Sequence, residues 1–91
     1  MITLKSSHEI EAMRRAGKIT AAARAVAREM VKPGVTTQQI DQAVYRFIKS
    51  QGAIPSFLNY NGYPASVCVS VNDEIIHGIP GKRVLQEGDI V

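Results

Sequence analysis

The 91 residues have a mass of 9.9 kDa, 45% hydrophobic positions and a net charge of +3; they fit one small domain or part of a larger one and exclude two independent domains. The single cysteine, Cys68, excludes an intramolecular disulfide and any zinc site that needs two or four cysteines. No apolar run approaches the roughly 18–20 residues of a membrane span and no secretory signal opens the chain, so we expect a cytoplasmic protein without membrane contact.

The first predicted helix runs from Ser7 to about Val31, where proline is absent and helix formers are common. Its apolar residues recur at spacings of four and three, the period of an amphipathic helix; they are Ala12, Ala16, Ile19, Ala23, Val26 and Met30. Cations fall on roughly the opposite arc, where solvent is expected; they are Arg14, Lys18, Arg28 and Lys32. Lys32-Pro33-Gly34 ends the helix, since proline cannot continue the ladder and glycine accepts a left-handed turn.

A second helix is predicted from about Thr37 to Gln51. Thr36 and Gln39 have the spacing of a capping box. The apolar residues behind them form one helical face; they are Ile40, Ala43, Val44, Phe47 and Ile48. Gly52 is the natural stop, and beyond it glycine and proline separate short β-prone runs.

Residues 66–71 alternate as a strand does, with the valines on one face and Cys68 and Ser70 on the other. If Asn72-Asp73 form a two-residue hairpin turn, Val71 pairs with Glu74, Val69 lies opposite Ile76 and Cys68 lies opposite His77. A three-residue loop would shift that register. Gly88-Asp89 reads as a further turn that leads into Ile90-Val91.

A thiol and an imidazole on one face could form an activated nucleophile, although Cys68 also fits a small half-buried strand residue. His77 lies in Ile76-His77-Gly78-Ile79-Pro80, a glycine- and proline-flanked turn that favours a functional role. The segment from Tyr60 to Pro64 could be a turn that covers the core edge or an aromatic wall around a ligand. Metal-ligand spacing is absent, so no residue is predicted as a metal ligand.

Residues Asn59 to Pro80 carry tyrosine-x-glycine-tyrosine-proline, then serine-valine-cysteine, then an asparagine turn and histidine-glycine-isoleucine-proline. This order and spacing closely resemble type I methionine aminopeptidases. The resemblance extends to the early helix, to Lys32-Pro33-Gly34-Val35-Thr36-Thr37 and to the closing Gly88-Asp89-Ile90-Val91, so it covers essentially the whole chain.

The resemblance implies an α/β (α+β) fold, in which residues 1–91 form the N-terminal half of a pita-bread catalytic domain: two helices followed by antiparallel β-hairpins. It implies two divalent metal ions (Co, Mn, Fe or Zn) whose aspartate, histidine and glutamate ligands lie beyond residue 91. Asp89 corresponds to the acid of the turn and not to a ligand. A monovalent cation is implied near Asn72.

For the site, the resemblance implies that His77 is catalytic and hydrogen-bonds the substrate and the transition state. Phe57, Tyr60, Tyr63 and Cys68 are implied to bind the methionine side chain, and a thioether packs well against rings and sulfur. The expected reaction is removal of initiator methionine from newly made proteins by metal-activated water. The 91-residue chain alone is expected to be inactive, and the complete protein to be a monomer.

The implied partners are nascent peptides that begin with methionine, with the ribosome as a further partner. One alternative is another pita-bread peptidase such as an X-Pro aminopeptidase, which lacks the tyrosine–cysteine pocket pattern. The other is a non-catalytic relative or a small basic module that binds RNA or the ribosome. Its basis is charge: residues 1–50 hold nine Lys or Arg against four acids, and clustered cations supply the salt-dependent affinity for phosphates.

Overall fold

A computed structural model describes residues 1–91 and contains two α-helices, α1 (Ser7–Met30) and α2 (Thr37–Ser50), and a 3-10 turn at Tyr60–Gly62. Both predicted helices are confirmed to within one residue at each end. The predicted capping box is present: Thr36 Oγ1 accepts from the Gln39 N–H at 3.1 Å, and Gln39 Oε1 accepts from the Thr36 N–H at 2.8 Å. These contacts satisfy backbone donors that a helix start leaves unpaired.

The same device begins α1, where Ser6 and Glu9 exchange backbone-to-side-chain hydrogen bonds at 2.8 and 3.1 Å. The N–H of Ser6 and then its hydroxyl lower the pKa of the Glu9 carboxyl. After the C-terminal ends of α1 and α2, Gly34 and Gly52 adopt left-handed φ angles of 92° and 73°, as the predicted helix stops require. Neither α1 nor α2 combines the length and the hydropathy of a membrane-spanning helix.

The two helices pack against each other, but unequally. The predicted face of α2 is confirmed, since Ile40 and Val44 are each only 2% exposed. The predicted stripe of α1 is correct only in its second half: Ala23 is buried, whereas Ala12 and Ala16 are exposed. The reason is length, because α2 has 14 residues against the 24 of α1 and cannot cover all of its partner.

The core joins the helices to the chain beyond them. Ile40 packs with Val69, Val71 and Leu85, and half-buried neighbours surround this cluster; they are Ala27, Met30, Val35 and Val67. The valines of residues 66–71 therefore face inward, as their alternation predicts.

The predicted antiparallel β-hairpins are wrong: the only β-pairing is an isolated bridge between Thr36 and Val84. The turn itself forms, since the Glu74 N–H donates to the Val71 carbonyl at 3.1 Å. Past the turn the register differs, because the Val69 N–H bonds to the Gly78 carbonyl at 2.8 Å instead of pairing with Ile76. The segment that follows the turn is thus two residues longer than the predicted register allows.

Side chains take the backbone donors that a β-ladder would use. Oxygens of Asp41, Glu74 and Ser70 accept the N–H groups of Ser66, Val67, Val71 and Gly78. Ile76 and His77 also have positive φ angles of 21° and 58°, which interrupt an extended strand. Local polar contacts have replaced the regular ladder.

The segment after Pro80 is fixed to the start of α2. The Thr37 hydroxyl oxygen accepts from the Gly81 N–H at 2.8 Å and donates to the Gly81 carbonyl at 3.2 Å. The Thr37 N–H donates to the Arg83 carbonyl at 3.0 Å. These contacts hold the C-terminal end of residues 66–81 against α2, and Asp41 of α2 holds the other end through Ser66 and Val67. Two of the predicted site residues, Cys68 and His77, lie on that stretch.

Candidate functional site

An open pocket of about 540 Å³ lies between the 3-10 turn and the irregular hairpin. All five predicted site residues line it; they are Phe57, Tyr60, Tyr63, Cys68 and His77. Four further residues complete its lining; they are Asn61, Gly62, Pro64 and Ile79. These four stand inside the recognisable sequence segment but carry no reactive group that would single them out.

Cys68 and His77 come together although the predicted register is wrong. Cys68 Sγ lies 3.5 Å from His77 Nδ1. Ile76 and His77 have positive φ angles, so the second arm is not a regular strand and the period-two argument that predicted the shared face does not apply to it. The prediction that the thiol and the imidazole share a face is therefore confirmed for a reason other than the one that led to it.

The position of His77 depends on its own backbone and on Gly78. His77 adopts a left-handed conformation, which residues with a Cβ rarely occupy outside turns and functional sites. Gly78 then approaches residue 69 so closely that an added Cβ would overlap the Val69 carbonyl oxygen. The Gly78 N–H donates to Ser70 Oγ at 3.1 Å, so the imidazole stands on a tightly held turn.

The Tyr63 hydroxyl connects the backbone before the hairpin turn to the backbone after it. It donates to the Val67 carbonyl at 3.0 Å and lies 3.4 Å from the Gly78 carbonyl. Burial, the hydrogen bond with Cys68, and the charges of Cys68 and Asp41 raise the pKa of Tyr63 to about 12. The tyrosine is a neutral donor at physiological pH.

Tyr63 is expected to titrate near pH 12 in the folded protein. Because its folded pKa exceeds the ordinary value of 10.0, its contribution to stability is complete below pH 10 and is lost as the pH rises from 10 through 12. Tyrosinate absorbance of the wild type and of Tyr63→Phe, titrated in parallel, measures this. A difference curve with its midpoint near pH 10 would contradict the burial and hydrogen bonding of the Tyr63 hydroxyl.

Phe57 and Tyr60 form the outer walls. Phe57 stands edge-on to Tyr63, with ring centroids 6.3 Å apart and planes at 77°, an arrangement that aromatic quadrupoles favour. Tyr60 is 68% exposed and Phe57 50%. Both rings therefore present apolar surface that a ligand can cover.

Asn72 and Asp89 lie outside the pocket and hold the turns together. The Asn72 amide donates to Asp89 Oδ1 at 2.9 Å, and Asn72 Oδ1 accepts from the Ile90 N–H at 3.0 Å. The hydrogen bonds from Asn72 and from the Gln86 N–H lower the pKa of Asp89. Asp89 thus has a turn role here, and a cation near Asn72 stays a prediction.

Residues 1–91 contain no group of three or more His, Cys, Asp or Glu side chains that could hold a metal ion. The candidate metal-binding groups of the pocket are one thiol, one imidazole and two phenols; the lining has no carboxylate to bridge and neutralise two divalent ions. His8 lies exposed at the start of α1, away from this pocket.

Residues 11–91 match the model of metallopeptidase family M24. The chain belongs to this family. Among M24 relatives, it is 53% identical to methionine aminopeptidase 1 of Bacillus subtilis over 91 residues, covering all of this chain and 37% of the relative. It is 54% identical over 82 residues to methionine aminopeptidase 1D of Arabidopsis thaliana, covering 90% of this chain and 23% of that protein.

Comparison with solved structures gives methionine aminopeptidases as well. The chain superposes on the methionine aminopeptidase of Rickettsia prowazekii with a TM-score of 0.94 and 40% identity, over 98% of this chain and 36% of that one. The enzyme from Thermotoga maritima gives a TM-score of 0.94 at 41% identity, with the same coverage. The chain spans a little over a third of these M24 structures and shares the fold of that portion, without regular hairpin strands.

Proposed function

We propose that residues 1–91 form the N-terminal half of the catalytic domain of a methionine aminopeptidase, which removes initiator methionine from newly made proteins. Two facts support this proposal: the relatives of this M24 chain carry that name, and they are much longer than the chain. The metal ligands then belong to residues outside 1–91, and these residues alone are inactive. A cytoplasmic location and a monomeric state are parts of the same proposal.

The observation that carries the proposal is the pocket itself. It joins three aromatic rings and a sulfur around one open, mainly apolar space. A thioether is unbranched and polarizable, so it packs well against ring edges and sulfur. Methionine fits such a pocket better than a charged or β-branched side chain does.

The same pocket holds the imidazole at its rim, where His77 is exposed. When the Cys68 thiol donates to Nδ1, the proton of the neutral ring lies on Nε2. Nε2 is then a donor that can hydrogen-bond the carbonyl oxygen after methionine as negative charge develops on it. This role requires the side chain of methionine to lie in the pocket and its peptide bond to lie over His77.

Metal removal tests this function. The full-length protein is expected to release methionine from a Met-Ala peptide in the presence of Co, Mn, Fe or Zn. Treatment with a chelator should abolish release, and added metal should restore it, because M24 is a metallopeptidase family and a bound metal would supply the activation of the attacking water. Release that survives exhaustive chelation, or no release with any of the four metals, would contradict the proposal.

A ribosomal partner is the second part of the proposal. The cations predicted to share one arc are all exposed; three lie on α1 (Arg14, Lys18 and Arg28) and Lys32 follows its end. Only Arg14 is engaged, with Glu11 at 3.4 Å. A face of this kind can bind RNA phosphates in a salt-dependent way, which would bring the enzyme to nascent chains.

A further inference from the structure

Asp41 lies on α2 and reaches across to the segment that leads into the pocket. Its Oδ1 accepts the backbone N–H of Ser66 at 2.7 Å and that of Val67 at 3.0 Å. The two ion pairs of the structure, Arg14–Glu11 and Arg83–Glu74, do not include Asp41. Its carboxylate therefore binds only these two backbone amides. Hydrogen bonds to a charged acceptor are stronger than those between neutral groups.

These amides have no other partner. Ser66 is only 7% exposed, and no strand lies beside residues 66 and 67 to pair with them. A buried N–H group without an acceptor is costly. Asp41 therefore satisfies both backbone donors of this stretch.

Val67 is hydrogen-bonded through both of its backbone groups. Its N–H donates to Asp41, and its carbonyl accepts from the Tyr63 hydroxyl at 3.0 Å. Cys68 follows directly, with its sulfur 3.5 Å from His77 Nδ1. A displacement of Val67 would thus move Tyr63 and Cys68 together.

We propose that Asp41 is a positioning residue for the pocket: through Ser66 and Val67 it sets where Tyr63 and Cys68 stand. Asp41 is not among the residues that line the pocket, so it acts on a ligand only through them. The negative charge of Asp41 also reaches Tyr63, where it adds to burial and Cys68 in raising the tyrosine pKa. The kinetic part of this inference rests on the proposed function, since it needs methionine turnover.

The test compares Asp41→Ala and Asp41→Asn in the full-length protein, with a Met-Ala peptide as the substrate. Asp41→Ala is expected to raise KM about tenfold, because a wall displaced by a fraction of an ångström loses contact with the methionine side chain. The value of kcat should stay within about threefold of wild type. Asp41→Asn should fall between, since its amide oxygen can still accept but carries no charge.

Thr36→Ala is the matched control for stability. It removes the cap of the same helix and touches neither Ser66 nor Val67. Its KM is expected to match that of wild type at a temperature where every variant is folded. The rate of Cys68 alkylation by iodoacetamide, followed by mass spectrometry, gives a second readout and should rise in Asp41→Ala but not in Thr36→Ala.

A KM for Asp41→Ala that equals the KM of Thr36→Ala would overturn the inference, and so would a loss confined to kcat. If the wild type itself releases no methionine, the proposed function fails. Cys68 alkylation then still decides about Asp41, because that rate does not depend on turnover. Equal rates in wild type and Asp41→Ala would refute the positioning role.

Discussion

Replacing His77 by alanine in the full-length protein is expected to lower kcat/KM for a Met-Ala peptide by roughly 10²- to 10³-fold. This is the usual cost of removing one donor to a developing oxyanion. The physical reason is the geometry of the ring: Nδ1 faces Cys68 Sγ at 3.5 Å, and the ring makes no other hydrogen bond. Nε2 is left for the substrate. Steady-state kinetics with a saturating metal concentration measures the change.

Two variants make the result interpretable. His77→Asn keeps a side chain that tolerates the left-handed backbone, yet its shorter amide ends well before the position of Nε2. It should be as inactive as His77→Ala, which would assign the loss to the donor and not to the turn. His8→Ala removes the other histidine, which is exposed at the start of α1, and should retain wild-type turnover. Unchanged turnover in His77→Ala would remove His77 from the site.

The helices could be predicted from the sequence because their signals are local. Thr36 and Gln39 are three residues apart, and Gly34 and Gly52 stand where left-handed turns are needed. Ala12 and Ala16 are predicted to be buried but are exposed, because burial depends on what lies against α1. An amphipathic pattern indicates a face but not its partner.

The absence of regular hairpin strands could not be predicted, for a related reason. Alternation in residues 66–71 indicates an extended chain, but pairing depends on which acceptors reach each N–H. Asp41 lies 25 residues from Ser66 in the sequence, and no local signal connects them. The Cys68–His77 contact is present despite this error, in a turn whose positive φ angles at Ile76 and His77 no strand register predicts.

Gly78→Ala is expected to destabilise the folded protein by roughly 3 kcal/mol or more, at the upper end of overpacking effects. The added methyl would overlap the carbonyl oxygen of Val69, whose own N–H bonds to the Gly78 carbonyl at 2.8 Å. The backbone of Val69 cannot move away without disturbing the core, because Val69 belongs to the core cluster with Ile40 and Val71. Denaturant unfolding followed by circular dichroism measures the loss.

Gly81→Ala is the matched control. Its added Cβ would meet nothing nearer than the Ile79 carbonyl oxygen at 4.0 Å, and its contacts with Thr37 use only backbone atoms of Gly81. It should unfold within about 0.5 kcal/mol of wild type. Since Gly78 follows His77 directly, Gly78→Ala should also separate the imidazole from Cys68 and reduce turnover even where the protein stays folded. Identical unfolding of the two glycine variants would show that residues 69 and 78 do not approach as closely as described, and the placement of His77 beside the pocket would then lose its structural basis.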